Sequence, residues 1–257
     1  MSKILTVFGA TGNQGGSVVR AILGDAAFSS QFKIRAVTRN ATKPAARALQ
    51  AMGAKVVAGN MSTFESVAPA LQGAHTVFLA TNFWESTNAA TEISQGKAVA
   101  DAAKAAGVNH FDSKAKIEQY IRDSGIPSTF VLPGWYASNF FQAIQKSEDG
   151  SYLLPAPVDV DKAKIPILDV VADTGKFVKA AIKHHPKYVG KHIYAATNYY
   201  SPSQLLAEFS EEMLENFLLT ENPGYYGGAG LSESLSLLDE TPTTWREFVD
   251  KNKAKWL

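Results

Sequence analysis

The residues best suited to chemistry stand at the very start of the chain. Gly9-Ala-Thr-Gly12-Asn-Gln-Gly15 follows a β-branched apolar run and opens a stretch of helical periodicity. A strand, a glycine turn and a helix N-terminus in that order form an anion site, because the first helical N–H groups have no partner inside the helix. Each glycine has its own task there. Gly9 permits the tight turn, Gly12 lets the backbone approach a phosphate, and Gly15 lets the helix pack closely on the sheet. In this context the loop reads as a dinucleotide site, with a glycine-rich turn that binds nothing as the alternative.

The end of the second strand selects the dinucleotide. An NAD site offers a carboxylate there to accept from the ribose hydroxyls. This chain instead has Val37-Thr38-Arg39-Asn40, with Lys43 one turn on. A guanidinium suits a 2′-phosphate through forked, charge-assisted contacts. NADP(H) is therefore expected over NAD(H), and a solvated surface arginine is the plainer alternative.

These residues need a scaffold that gathers strand ends along one edge. Strands are expected at 4–8, 33–38, 55–58 and 76–80, and helices at 13–23, 43–52, 64–71 and 92–106. The last of these stops at Gly107, a favourable C-terminal residue. Strict alternation with right-handed crossovers gives a parallel sheet covered on both faces, a doubly wound Rossmann α/β fold. Farther on, helices are expected at 113–124 and 169–184, and strands at 128–132 and 192–196. Ser201 and Pro202 suit the N-cap and first position of another helix. A polar helix over 243–257 ends the pattern. The expected division is a Rossmann domain over 1–132, to which about 167–200 return, and a smaller C-terminal α/β lobe from 133–166 and 201–257.

Composition narrows the function classes. The chain has 257 residues, 46% of them hydrophobic and 19% charged, enough for a sizeable core and unlike a disordered chain. Twenty-five basic residues against 24 acidic ones, with no dense basic run, argue against direct nucleic-acid binding. Cysteine is absent, so disulfides and a thiol nucleophile are excluded. No apolar run approaches the roughly 18 residues of a membrane span. Met1-Ser-Lys leads straight into the first strand, too short for a signal peptide, so a cytoplasmic location is expected, with the nucleus as a second. His184-His185-Pro186 reads as a surface helix end, since adjacent side chains diverge on a helix. Asp169 and Asp173 read as helix caps. No metal site is expected.

Several separate segments also carry a resemblance. They are the glycine loop with its GxxGxxG spacing, Arg39, Thr81-Asn82-Phe83-Trp84-Glu85-Ser86, His110-Phe-Asp-Ser-Lys114, Gly125-Ile-Pro-Ser-Thr-Phe-Val131, Gly224-Tyr-Tyr-Gly-Gly228 and Pro242-Thr-Thr-Trp-Arg-Glu-Phe248. Together they resemble the NmrA-like family of atypical short-chain dehydrogenases, in particular its NADPH-sensor type, over nearly the whole chain. The resemblance implies that Thr11 to Gly15 hold the pyrophosphate and Arg39 to Lys43 the 2′-phosphate. It implies that Thr81, Asn82 and Phe83 line the nicotinamide side, that Lys114 reaches the nicotinamide ribose, and that Tyr136 and Asn139 close the far end.

Catalysis departs from the short-chain dehydrogenase pattern. Those enzymes protonate a carbonyl oxygen with a tyrosine four residues before a lysine. Here His110 stands four residues before Lys114. A histidine can carry a proton near neutral pH; packing or backbone bonding is its other reading. Tyr136 is an available phenol, and the usual serine of the preceding strand has no evident counterpart. Phe83, Trp84, Trp135, Tyr136, Phe140 and Phe141 either line an apolar pocket or pack the core. The absent tyrosine and the resemblance lead to an NADP(H)-binding redox sensor acting through a protein partner such as a transcription regulator. The alternative is an NADPH-dependent reductase of a small apolar carbonyl, enone or quinone-like substrate; a binding module that has lost its cofactor is a third reading.

Length raises a conflict. Helices in this fold run against the strands, so the helix ending near 106 finishes at the far edge, whereas a helix carrying Lys114 must begin at the cofactor edge. Only residues 107–112 lie between. Six extended residues span about 20 Å, barely a strand and none of its loop. A similar compression occurs at 209–214. Two segments of the family pattern are therefore expected to be missing.

Overall fold

The structure is a computed structural model, and it describes residues 2–81, 88–113, 117–147, 152–209 and 229–255. In chain order the first elements are β1 (Lys3–Phe8), α1 (Asn13–Leu23), α2 (Ala26–Gln31), β2 (Phe32–Thr38), α3 (Pro44–Ala51), β3 (Lys55–Ala58), α4 (Phe64–Leu71) and β4 (Thr76–Leu79). Then follow α5 (Ala89–Ala105), β5 (His110–Ser113), α6 (Glu118–Ser124), β6 (Ser128–Pro133), β7 (Trp135–Tyr136), α7 (Phe140–Ala143), β8 (Gln145–Lys146), β9 (Tyr152–Leu153) and β10 (Ile165–Leu168). The last are α8 (Thr174–Lys183), β11 (His192–Ala195), β12 (Tyr199–Tyr200), α9 (Pro202–Phe209), α10 (Ser232–Leu235) and α11 (Trp245–Asn252).

Seven parallel strands form one sheet in the order β11-β6-β5-β4-β1-β2-β3. The chain works outward from β1 through β2 and β3, then crosses back to β4 on the other side of β1. That reversal places a crevice at the carboxyl ends of β1 and β4, where doubly wound folds bind their ligands. The sheet is the expected α/β Rossmann fold. Its central strands carry Leu5, Val7, Phe8, Val77, Leu79 and Phe111, all buried, as strands covered on both faces must. On one face Val67, Leu71, Val99, Ala103 and Ile121 of α4, α5 and α6 complete the core. On the other, α1 and α8 meet with little space between backbones: a Cβ on Gly175 would lie 2.3 Å from Ser17 O. Ser17 Oγ also accepts from the Gly175 N–H at 2.9 Å.

Two elements correct the sequence reading. The helix expected at 113–124 begins only at Glu118, because residues 110–113 are β5. Phe111 pairs with Val77 on one side and Ser128 on the other, so a four-residue strand fills the sheet between β4 and β6. Pairing on both sides outweighs the weak local preference of His-Phe-Asp-Ser. A strand thus fits in the short stretch after α5, and what is left for the loop that follows it is 114–116, outside the described residues. The compression at 209–214 lies outside them too, apart from Phe209 at the end of α9. The second correction is the helix expected at 169–184, which starts at Thr174. Asp169 holds the turn before it, accepting from the Val171 and Ala172 N–H groups, while Asp173 accepts from the Thr243 N–H and hydroxyl.

The described chain divides into two compact units, Met1–Leu132 with Thr174–Ile193, and Pro133–Asp173 with Tyr194–Leu257. The stretch returning to the first unit is shorter at both ends than 167–200. The reason is that β10 and β12 pair with each other, and β10 with β7, in a three-stranded sheet of the second unit. The second unit's core gathers Ala137, Phe140, Ile167, Leu205, Trp245 and Phe248. Trp245 donates its indole N–H to Leu205 O at 2.8 Å, Phe140 meets the indole edge-on, and Phe141 stacks on Phe248. Phe140 and Phe141 are therefore core residues, while Trp135 is 44% exposed. The tail helix α11 starts on a capping box between Thr244 and Glu247. No described helix is long and apolar enough to cross a membrane.

Candidate functional site

The glycine loop is built as its spacing demands. Gly9 has φ +67°, and a Cβ there would lie 2.8 Å from Ala80 O, just beyond β4. The Gly12 N–H donates to Gly9 O at 2.9 Å, closing the turn. A Cβ on Gly15 would lie 2.3 Å from Gly9 O, so the first turn of α1 is pressed against the loop itself. Gly12 is the extended N-cap residue of α1, makes no side-chain cap bond, and is followed by no acidic residue in the first turn. Thr11 and Asn13 are exposed and Gln14 is half-buried. The N-terminus of an eleven-residue helix thus points its dipole at a cradle without a side chain at Gly12, which fits a pyrophosphate.

Beyond β2 the chain turns through Thr38 to Lys43. Asn40 Oδ1 accepts from the Thr42 N–H at 2.9 Å and the Thr42 hydroxyl at 2.7 Å, which shapes the loop. Arg39 and Lys43 are exposed on it, and Lys43 is the N-cap residue of α3, with Pro44 after it. No carboxylate stands between Thr38 and Lys43. Two cations at the carboxyl end of β2 suit a phosphate better than a ribose diol.

Thr81 follows β4 at the same edge of the sheet. Its hydroxyl donates to Glu92 Oε1 at 2.6 Å, and both residues are buried, 7% and 3% exposed. Glu92 lies in the first turn of α5, whose Asn88 N-cap accepts from the Ala90 N–H. Sequence reading missed Glu92; its only signal was an acidic residue at the start of an Ala-rich helix. It also placed Ser113 in a helix, whereas Ser113 is the last residue of β5, at the carboxyl edge. Asn82, Phe83 and Lys114 lie outside the described residues.

His110 is placed against its candidate role as a proton carrier. It opens β5, at the amino edge of the sheet, and is only 2% exposed. Its Nε2 meets Asp112 Oδ1 at 3.0 Å, and its ring meets His185 edge-on with centroids 4.6 Å apart. A strand's length separates it from the carboxyl edge. His185 is correspondingly half-buried with a buried Nε2, and not an exposed helix end. No group of three potential metal ligands occurs among the described residues. Tyr136, half-buried on β7, and Asn139, exposed at the end of the 3-10 turn Ala137–Asn139, belong to the second unit.

Comparison with known proteins supplies the context. The oxidoreductase FrzB of Cladobotryum sp., described as containing an NmrA-like family domain, is 29% identical over 251 residues, covering 82% of this chain and 74% of its own. The corresponding oxidoreductase ptmS of Penicillium ochrochloron is 30% identical over 229 residues, covering 72% and 66%. Among solved structures, NmrA, a negative transcriptional regulator in complex with NAD, superposes with a TM-score of 0.80 at 24% identity, covering 100% of this chain and 98% of that one. The NADPH-dependent quinone oxidoreductase QOR2 of Escherichia coli, complexed with NADPH, gives 0.75 at 23% identity, covering 96% and 99%. These two likenesses are of fold. The NmrA-like family model matches residues 1–111 and 108–224 in two stretches that meet at β5, where the connection is short. Matched over most of its length, the chain belongs to the NmrA-like family.

Proposed function

We propose that this chain binds NADP(H) at the carboxyl edge of its seven-stranded sheet and uses it to reduce a small apolar carbonyl, enone or quinone-like substrate. The observation that carries the reading is the glycine cradle at the uncapped start of α1 together with Arg39 and Lys43 at the end of β2. In it, the N–H groups from Thr11 to Gly15 hold the pyrophosphate, and Arg39 with Lys43 hold the 2′-phosphate. Thr81, Asn82, Phe83 and Lys114 serve the nicotinamide half. The first unit is the cofactor domain, and the second supplies substrate recognition, with Tyr136 and Asn139 as its candidates. The bound nucleotide supplies a hydride; the protein's task is to orient it and exclude water. The relatives described as oxidoreductases favour this over a redox sensor.

One observation keeps the sensor as a second reading. The residue four before Lys114 is His110, which is buried at the amino edge and delivers no proton at the carboxyl edge. On that reading a protein partner, such as a transcription regulator, receives the signal. The experiment is titration of the purified protein with NADPH followed by NADPH oxidation across a panel of quinones, enones and aldehydes. Turnover with any of them supports the reductase. Binding without turnover across the panel overturns it in favour of the sensor, and no binding overturns both.

A further inference from the structure

The Thr81–Glu92 pair has no part in the phosphate-binding machinery, yet it is buried at the ligand edge. Its place in the fold is definite. Phe8 of β1 pairs with Leu79 of β4, so the glycine loop and Ala80-Thr81 leave adjacent strands side by side. Ala80 O lies under Gly9, at 2.8 Å from where a Cβ would be. A dinucleotide in this fold spans the switch point, with its adenosine half over β2 and its nicotinamide half on the β4 side. Thr81 therefore begins the nicotinamide half. The carboxylate that fixes its hydroxyl sits in the first turn of a seventeen-residue helix, where the dipole favours negative charge.

Charge gives this arrangement a consequence. Hydride transfer turns a neutral dihydronicotinamide into a cationic ring, so an anion held nearby stabilises the oxidised cofactor and the charge that develops on the way to it. Resting on the NADP(H) reading above, we infer that Glu92 is a positioning and specificity residue: it fixes Thr81 at the end of β4 and sets the preference between NADP+ and NADPH. The effect is electrostatic, and one charge acting through an effective dielectric well above that of a dry interior is worth on the order of fivefold in the ratio of the two affinities.

Glu92→Gln is the direct test, because it keeps shape and an acceptor for Thr81 while removing the charge. Dissociation constants for NADP+ and NADPH are measured separately by calorimetry on wild type and variant. The expected result is a shift of their ratio toward NADPH by about fivefold, with binding retained. A general loosening of the fold would weaken both ligands alike, so an unchanged ratio overturns the inference. Where Glu92→Gln does not fold, Glu92→Met takes its place: it removes the charge in a side chain of like length, and a ratio within twofold of wild type overturns the inference. A wild-type protein that binds neither nucleotide overturns the NADP(H) reading and this inference with it, and is distinct from the unchanged ratio, which overturns the inference alone.

Discussion

At the scale of single residues, the proposed binding of NADP(H) over NAD(H) rests on Arg39. The loop from Thr38 to Lys43 has two cations and no carboxylate, and Asn40 fixes its shape from within. On the proposed reading, replacing Arg39 with alanine removes a forked, charged contact to the 2′-phosphate and nothing that NAD(H) would use. We expect NADPH affinity to fall by about tenfold, the scale of one charge-assisted contact, with NADH affinity unchanged. Fluorescence titration with both nucleotides checks it; an equal loss for both would reassign Arg39 to a structural task. Where a residue stands follows from type and local spacing for Gly9, Gly12 and Gly15 in the turn before α1 and for Arg39 at the end of β2. For Glu92 it does not, because its value comes from meeting Thr81, eleven positions earlier, and no periodicity announces such a meeting. His110 shows the opposite error: its spacing from Lys114 suggested chemistry, whereas strand direction puts it at the wrong edge.

Among elements, the first helix was legible to the residue, and so were β3 and α4, because glycines and caps mark their ends. β5 was not. His-Phe-Asp-Ser lacks the β-branched run of a buried parallel strand, and it becomes a strand only because β4 and β6 pair with it on both sides. The glycine loop depends in turn on how α1 is held. α1 is braced by α8, which returns from the far side of the second unit in sequence, and Gly175 is the point of closest approach. An alanine there meets Ser17 O at 2.3 Å and Ala21 Cβ at 2.6 Å, backbone and a short side chain that cannot swing away. Gly175→Ala should lower the urea midpoint by the equivalent of about 1–3 kcal/mol. It should also weaken NADPH binding, since the N-terminus of α1 moves with the helix. A midpoint equal to wild type would show that α1 and α8 part at no cost.

For the whole molecule, the sheet has two edges of opposite chemistry. The carboxyl edge carries the glycine cradle and Arg39; the amino edge gathers Lys3, His75, His110 and His185, with the Asp112 carboxylate meeting His110 from farther along β5. Burial holds the His75 imidazole below its ordinary value of 6.5, and the charges of Lys3, His185 and His110 push the same way. Burial lowers His185 too, with His110 and Lys3 adding to it and Asp112 opposing. Three polar atoms there, His110 Nδ1, Asp112 Oδ2 and His185 Nε2, are buried without a hydrogen-bond partner among the described residues. Unfolding returns both histidines to about 6.5, so below that pH the unfolded chain binds more protons than the folded one. Their contribution is then fully present above about pH 6.5 and is lost as pH falls toward the depressed folded values. Urea midpoints should hold level from about pH 8 to 7 and decline from about pH 6.5 to 5.5, a range still above the ordinary carboxylates. His185→Gln removes one of the two titrating groups and relieves His75 of a neighbouring charge, so its decline should be shallower than that of wild type. Equal slopes in the two proteins would mean that the acid sensitivity of the fold originates elsewhere than at the amino edge of the sheet.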